Sequence, residues 1–182
     1  MNYFDKWNLT SDEWEFISLL PYYISWSVAV ADSVINPEEV APYHTFMQLM
    51  SSNEDECAIV DICKASLDRV ERNISETDLF NNYLSNYNLL DEEGTFNKKV
   101  IAVDHFLRII NLFDDYNKDK IKEYIFNLGI STAYSYGVPE DPMDESEANA
   151  LRELFRWLEV DTDKYNVQKN RDNFYTFLNG ET

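Results

Sequence analysis

Five stretches of this chain share one arrangement, a capping side chain with an acidic residue three positions on. They are Thr10-Ser11-Asp12-Glu13, Asn36-Pro37-Glu38-Glu39, Asn53-Glu54-Asp55-Glu56, Ser75-Glu76-Thr77-Asp78 and Asp144-Glu145-Ser146-Glu147. The first side chain accepts from the free N–H groups of a helix's opening turn. The acidic residue complements the helix dipole or folds back on the cap. Apolar residues follow at helical spacing: Trp14, Ile17, Leu20 and Ile24 after the first, Ile59, Ile62, Cys63 and Leu67 after the third. Two further helices are predicted, one near 100–113 and one from about Asn117 to about Tyr136, and Asp161 is placed to cap a last one. Pro21 should kink the helix or end one and start another, since proline lacks an N–H and clashes with the preceding turn. No stretch alternates strictly enough for a strand. With only 4 glycines, tight β-turns are hard to build. The fold class expected is all-α, a compact bundle of about seven or eight helices in one domain spanning residues 1–182.

Charge narrows the function. The formal net charge is −19, from 15 Lys plus Arg and 34 Asp plus Glu. Hydrophobic residues reach 45% and aromatics 15%, too apolar for a disordered acidic tail. The acid disfavours nucleic acid and anionic lipid as partners, because both need a cationic face. No apolar run reaches the length of a membrane-spanning helix. The opening Met-Asn-Tyr-Phe-Asp-Lys-Trp lacks the pattern of a secretory signal. Cys57 and Cys63 belong to no paired motif and are read as reduced core thiols. A cytoplasmic protein is expected.

Two helix junctions resemble each other. Val30-Ala31-Asp32-Ser33 leads to Asn36-Pro37-Glu38-Glu39, and Thr132-Ala133-Tyr134-Ser135 leads to Asp144-Glu145-Ser146-Glu147. Each pairs a small-residue helix end with an acidic helix start, as two repeated helix-turn-helix units would. The chain here resembles the TerB-like family, the tellurite-resistance helical domain, whose members carry an alanine-rich helix, an A-D-G turn and an E-E helix start, twice. Leu154 to Asp161, ending Leu158-Glu159-Val160-Asp161, resembles the family's L-G-I-D close. The likeness covers roughly residues 20–165. Ser33 stands where the family has its turn glycine, and tyrosine stands where the second copy's acid should be. The resemblance implies a non-enzymatic domain in a stress response, with divalent cations bound at acidic junctions. Asp32, Glu38 and Glu39 would serve one junction and Asp144, Glu145 and Glu147 the other. Hard cations favour such carboxylate oxygens. Capping alone also explains acids at these positions.

Other chemistry is scarce. His44 and His105 belong to no HExxH or Glu-x-x-His pair, and no EF-hand loop, P-loop or nucleophile elbow occurs. No cofactor is expected beyond a divalent cation. Tyr3, Phe4 and Trp7 near one end, and Phe174, Tyr175 and Phe177 near the other, either pack on the bundle or form a partner or homodimer surface. The net negative charge is concentrated in residues 1–91, where basic residues are fewest, which suits a protein partner with a basic surface. The alternative function expected is an acidic inhibitor or immunity-type protein covering a basic toxin or nuclease.

Overall fold

The computed structural model describes residues 2–29, 31, 37–86, 97–134 and 145–165. Among them run α1 (Tyr3–Lys6), α2 (Ser11–Ile17), α3 (Leu20–Ala29), α4 (Pro37–Ser51) and α5 (Ala58–Glu71). They are followed by α6 (Glu76–Asn86), α7 (Asn97–Ile110), α8 (Asp115–Tyr134), α9 (Glu145–Trp157) and α10 (Thr162–Tyr165). The first and last are single turns, so eight longer helices build the bundle, and the described residues contain no strand. The all-α class read from capping and periodicity is the one observed.

The starts follow the capping chemistry. Thr10 accepts from the Glu13 N–H at 3.2 Å, and Glu13 accepts from the Thr10 N–H at 3.0 Å. Ser75 accepts from the Asp78 N–H to open α6. The chain turns between Ile17 and Leu20, which places Pro21 in the first turn of α3, where a missing N–H costs nothing. The Asn53 start is a correction. Asn53 Oδ1 accepts from the Asp55 N–H at 3.0 Å, and that local turn delays α5 to Ala58. Cys57 supplies no side-chain cap. The orphan Ala58 N–H donates instead to Asn117 Oδ1 of α8 at 2.7 Å. Asn117 is in turn held by Asp114, which caps α8. One helix start thus braces another.

Helix ends use residues other than glycine. Asn8, Asn73 and Glu159 have φ of 54, 53 and 53°. After each, the next residue's N–H reaches back to close the helix: Leu9 to Phe4, Ile74 to Arg69 and Val160 to Phe155. Asparagine tolerates this left-handed backbone, whereas glutamate carries a Cβ penalty of roughly 1–2 kcal/mol. Glu159→Gly is therefore expected to raise stability by about 0.5–1 kcal/mol, net of the extra freedom glycine gives the unfolded chain. The Glu159 carboxylate gives up only a 3.7 Å contact with Lys122, whose other bond, to the Glu159 carbonyl, remains. Urea unfolding that shows a loss would contradict the strain.

The centre is made by α3 and α8. Helix α3 is apolar almost all round and buries Leu20, Tyr23, Ile24 and Val28, the pattern of a helix with neighbours on every side. It packs on α8, α4, α9 and α5, while α8 packs on α3, α4, α5, α9 and α10. Gly129 lets α9 approach α8: a Cβ there would lie 2.8 Å from Leu151 Cδ2. The packing is reciprocal. Each central helix meets the other and the helix that follows the other, and their predecessors α2 and α7 pack together. Two repeated units facing each other would pair this way. Beside the central pair, Phe16 of α2 stacks on Phe106 and Tyr83 with ring centroids 4.3 and 4.2 Å away.

Candidate functional site

Few charged groups enter the interior of a bundle without a partner, so those that do are the first candidates for chemistry. Asp61, in the first turn of α5, is 5% exposed. Its carboxylate accepts from Lys6 Nζ at 2.7 Å and Trp7 Nε1 at 3.0 Å. These two bonds, with the edge-on contact of Trp7 and Phe113, hold the α1 turn against the bundle.

A larger cluster joins four helices. Glu76, at the start of α6, is buried and accepts from Ser66 at 2.8 Å and from Tyr43. Tyr43 and Ser66 are 3.1 Å apart. Arg69 lies 3.6 Å from Glu76 and donates to the Ser18 hydroxyl at 2.8 Å and to the Ser18 carbonyl. Ser18 ends α2, so the guanidinium meets the negative pole of that helix. Burial pushes the Tyr43 hydroxyl far above its usual range, and the Glu76 charge adds to the effect. Burial also lowers Arg69 from its usual value, against the pull of Glu76. Every polar end in this cluster except Arg69 Nε has a partner inside the protein. The arrangement ties α2, α4, α5 and α6 together and suits tethering better than turnover.

The cysteines are core thiols as expected. Both are buried and unbridged, and burial raises Cys63 to about 12. His44 is half-buried beside Tyr43. His105 Nε2 lies 2.8 Å from the Tyr83 hydroxyl, and its ring meets Phe16 edge-on at 5.1 Å. Burial, then Arg108, lowers the His105 pKa from 6.5, while Glu13 opposes them. The unfolded chain therefore binds this proton more readily than the native one. The stability His105 contributes as a neutral ring is complete above 6.5 and is lost as pH falls through the window below it. An NMR titration should place His105 below 6.5, and His105→Gln should flatten part of the stability loss on acidification. A midpoint above 6.5 would refute the assignment.

The acidic junctions are only partly described. Asp32 and Asp144 lie outside the described residues, as do the side chains of Glu38 and Glu39, whose backbone forms the first turn of α4. Glu145 is exposed at the start of α9, and Glu147, two residues on in the same first turn, is 6% exposed. Burial separates these two neighbours in sequence. Among the described residues no three His, Cys, Asp or Glu side chains converge as a metal site would require. No described helix is long and apolar enough to cross a membrane.

Sequence reasoning did not single out Asp61 or Glu76 as buried, or Arg69 as half-buried. Glu76 reads as a first-turn acid, and Arg69 falls one residue before an inward apolar position. The available signal was that Glu76 lies on the apolar stripe of its helix, with Leu79, Phe80 and Tyr83, and Arg69 at the edge of its own, whereas Asp61 falls opposite the stripe of α5 and carried no such signal. No protein-family model, no curated protein and no solved structure matches the chain.

Proposed function

We propose that this protein is a non-enzymatic, TerB-like acidic domain that acts through contacts with a protein partner bearing a basic surface. The observation that carries this reading is the division of its charges. The buried Asp61 and Glu76 and the half-buried Arg69 are engaged in tethers between helices. The acid excess stands outside, on Asp5, Glu15, Glu54, Asp55, Glu56 and Glu71 among others. A field of that sign speeds encounter with a basic protein and repels nucleic acid. The TerB-like part draws support from Glu159. It stands where the resembled L-G-I-D close has glycine, and its backbone is left-handed, the conformation glycine serves best.

In the same reading, the acidic junction of Asp32, Glu38 and Glu39 offers oxygen ligands to a divalent cation, in the setting of a cytoplasmic stress response; at the second junction Asp144 and Glu145 are left for that role, because Glu147 is buried. The two clauses have separate tests. Affinity for a purified basic partner should fall steeply as salt rises from 50 to 300 mM, and a salt-independent affinity would sink the electrostatic clause. Calorimetry with calcium, magnesium and zinc should give heat that Asp32→Ala abolishes, and no heat at millimolar ion would sink the cation clause. Stoichiometric silencing of a basic nuclease or toxin would instead favour the inhibitor reading.

A further inference from the structure

We propose that the end of the molecule built from α1, the α7–α8 turn and the loop before α5 is the docking surface, and that it takes a basic segment carrying an apolar side chain between Lys or Arg residues. This rests on the protein-contact reading above and adds where the partner sits and what it presents. The large hydrophobic side chains most exposed among the described residues are Tyr3 at 40%, Leu112 at 53% and Tyr116 at 55%. All three belong to this end. The edge contact of Trp7 with Phe113, 6.0 Å between centroids, joins α1 to the turn that carries Leu112. The Ala58 N–H to Asn117 bond joins that turn to the loop before α5. The Asp61 bonds to Lys6 and Trp7 close the triangle.

Exposed acids share the elements that carry these side chains. Asp5, Glu54, Asp55, Glu56, Asp114 and Asp115 are all exposed on the same three elements. The N–H of Asn117 holds the Asp114 carboxyl below its usual range, so it keeps its charge. The nearby cations are already engaged, Lys6 with Asp61 at 2.7 Å and Lys118 with Asp115 at 3.3 Å. By contrast, the outer face of α9 interleaves Glu145 and Glu153 with Arg152 and Arg156 and leaves no exposed large hydrophobic. Apolar anchors inside a rim of one sign are what a partner with an apolar centre and a rim of the opposite sign requires. Sites of this kind gain rate and specificity from the rim and hold from the anchors.

The full-length protein, labelled with nitrogen-15, is titrated with two probes of equal charge, an amphipathic Leu/Lys peptide and oligolysine. The expected result is resonance shifts centred on Tyr3, 54–56 and 112–116, with the amphipathic peptide binding more tightly. Leu112→Ser/Tyr116→Ser should weaken that peptide about tenfold, as loss of exposed anchors would. Both side chains are outside the core, so the fold should survive, which an unchanged spectrum elsewhere verifies. Glu153→Gln/Asp163→Asn, which removes two exposed acids from α9 and α10, should leave the affinity unchanged. Equal binding by oligolysine would overturn the apolar clause. Shifts centred elsewhere, or undiminished binding in the double variant, would overturn the location while leaving the basic-partner reading intact. Failure of both probes at low salt would remove that reading as well.

Discussion

Glu76→Ala is expected to cost about 3–5 kcal/mol of unfolding free energy, the range for removing one partner of a buried ion pair. The Arg69 guanidinium would keep its burial and lose the carboxylate 3.6 Å away. Tyr43 and Ser66 would both lose their acceptor, leaving hydroxyls paired only with each other. The side chains of Arg69 and Glu76 are 12% and 7% exposed, so water compensates little. A double replacement, Arg69→Met with Glu76→Leu, should recover much of the loss, because it removes both charges and keeps the volume. Urea unfolding of the two variants tests this. A loss under about 1 kcal/mol in Glu76→Ala, or an additive loss in the double variant, would show that the pair is not coupled. The effect should also reach the acidic junction, since Tyr43 sits one turn beyond Glu39 on α4 and anchors that helix to α5 and α6.

The helices were legible because their starts are written locally. Thr10 with Glu13 and Ser75 with Asp78 cap within four residues, and nothing distant has to agree. Local signals mislead where a loop uses the same alphabet. Asn53 to Glu56 reads as a cap, yet Asn53 closes its own turn, and the start of α5 is satisfied by Asn117, which lies 59 positions away. The single turn of α1 was missed because its four residues have no helical face to read. It stands on Asp61, a partner 55 residues distant. The buried cluster was hidden for the same reason. Its members come from α4, α5 and α6 and the end of α2, and their charge makes Arg69 and Glu76 read as surface residues. For the candidate site, the sequence yielded acids at helix starts. Burial then separates Glu147, inside, from Glu145, outside. That contrast depends on how α9 seats against α8 and α3, which residue type cannot reveal.

Phe16→Ala is expected to cost a comparable 3–5 kcal/mol, by a different mechanism. Phe16 is fully buried. Its ring stacks on Tyr83 and Phe106, lies 6.0 Å from Phe80, and receives the His105 edge. Removing it leaves a void among rings that belong to α6 and α7 and cannot all close inward. In a protein of this size the midpoint of thermal unfolding should fall by roughly 10 °C. Phe16→Leu keeps most of the volume and should cost about half as much. The stacking itself can be isolated by a double-mutant cycle with Phe106→Leu, where a coupling of about 0.5–1.5 kcal/mol is expected beyond area burial. Loss of the Phe16 ring should also change the His105 surroundings, and its NMR titration midpoint should move toward 6.5 as water enters the void. An unchanged His105 midpoint together with a small loss of stability would mean that α6 and α7 repack around the cavity. Phe16 would then be one apolar residue among many. A large loss with a shifted midpoint would make it the wedge that holds α7, a helix that the Glu76 cluster of α2, α4, α5 and α6 does not reach, with α6 against α2.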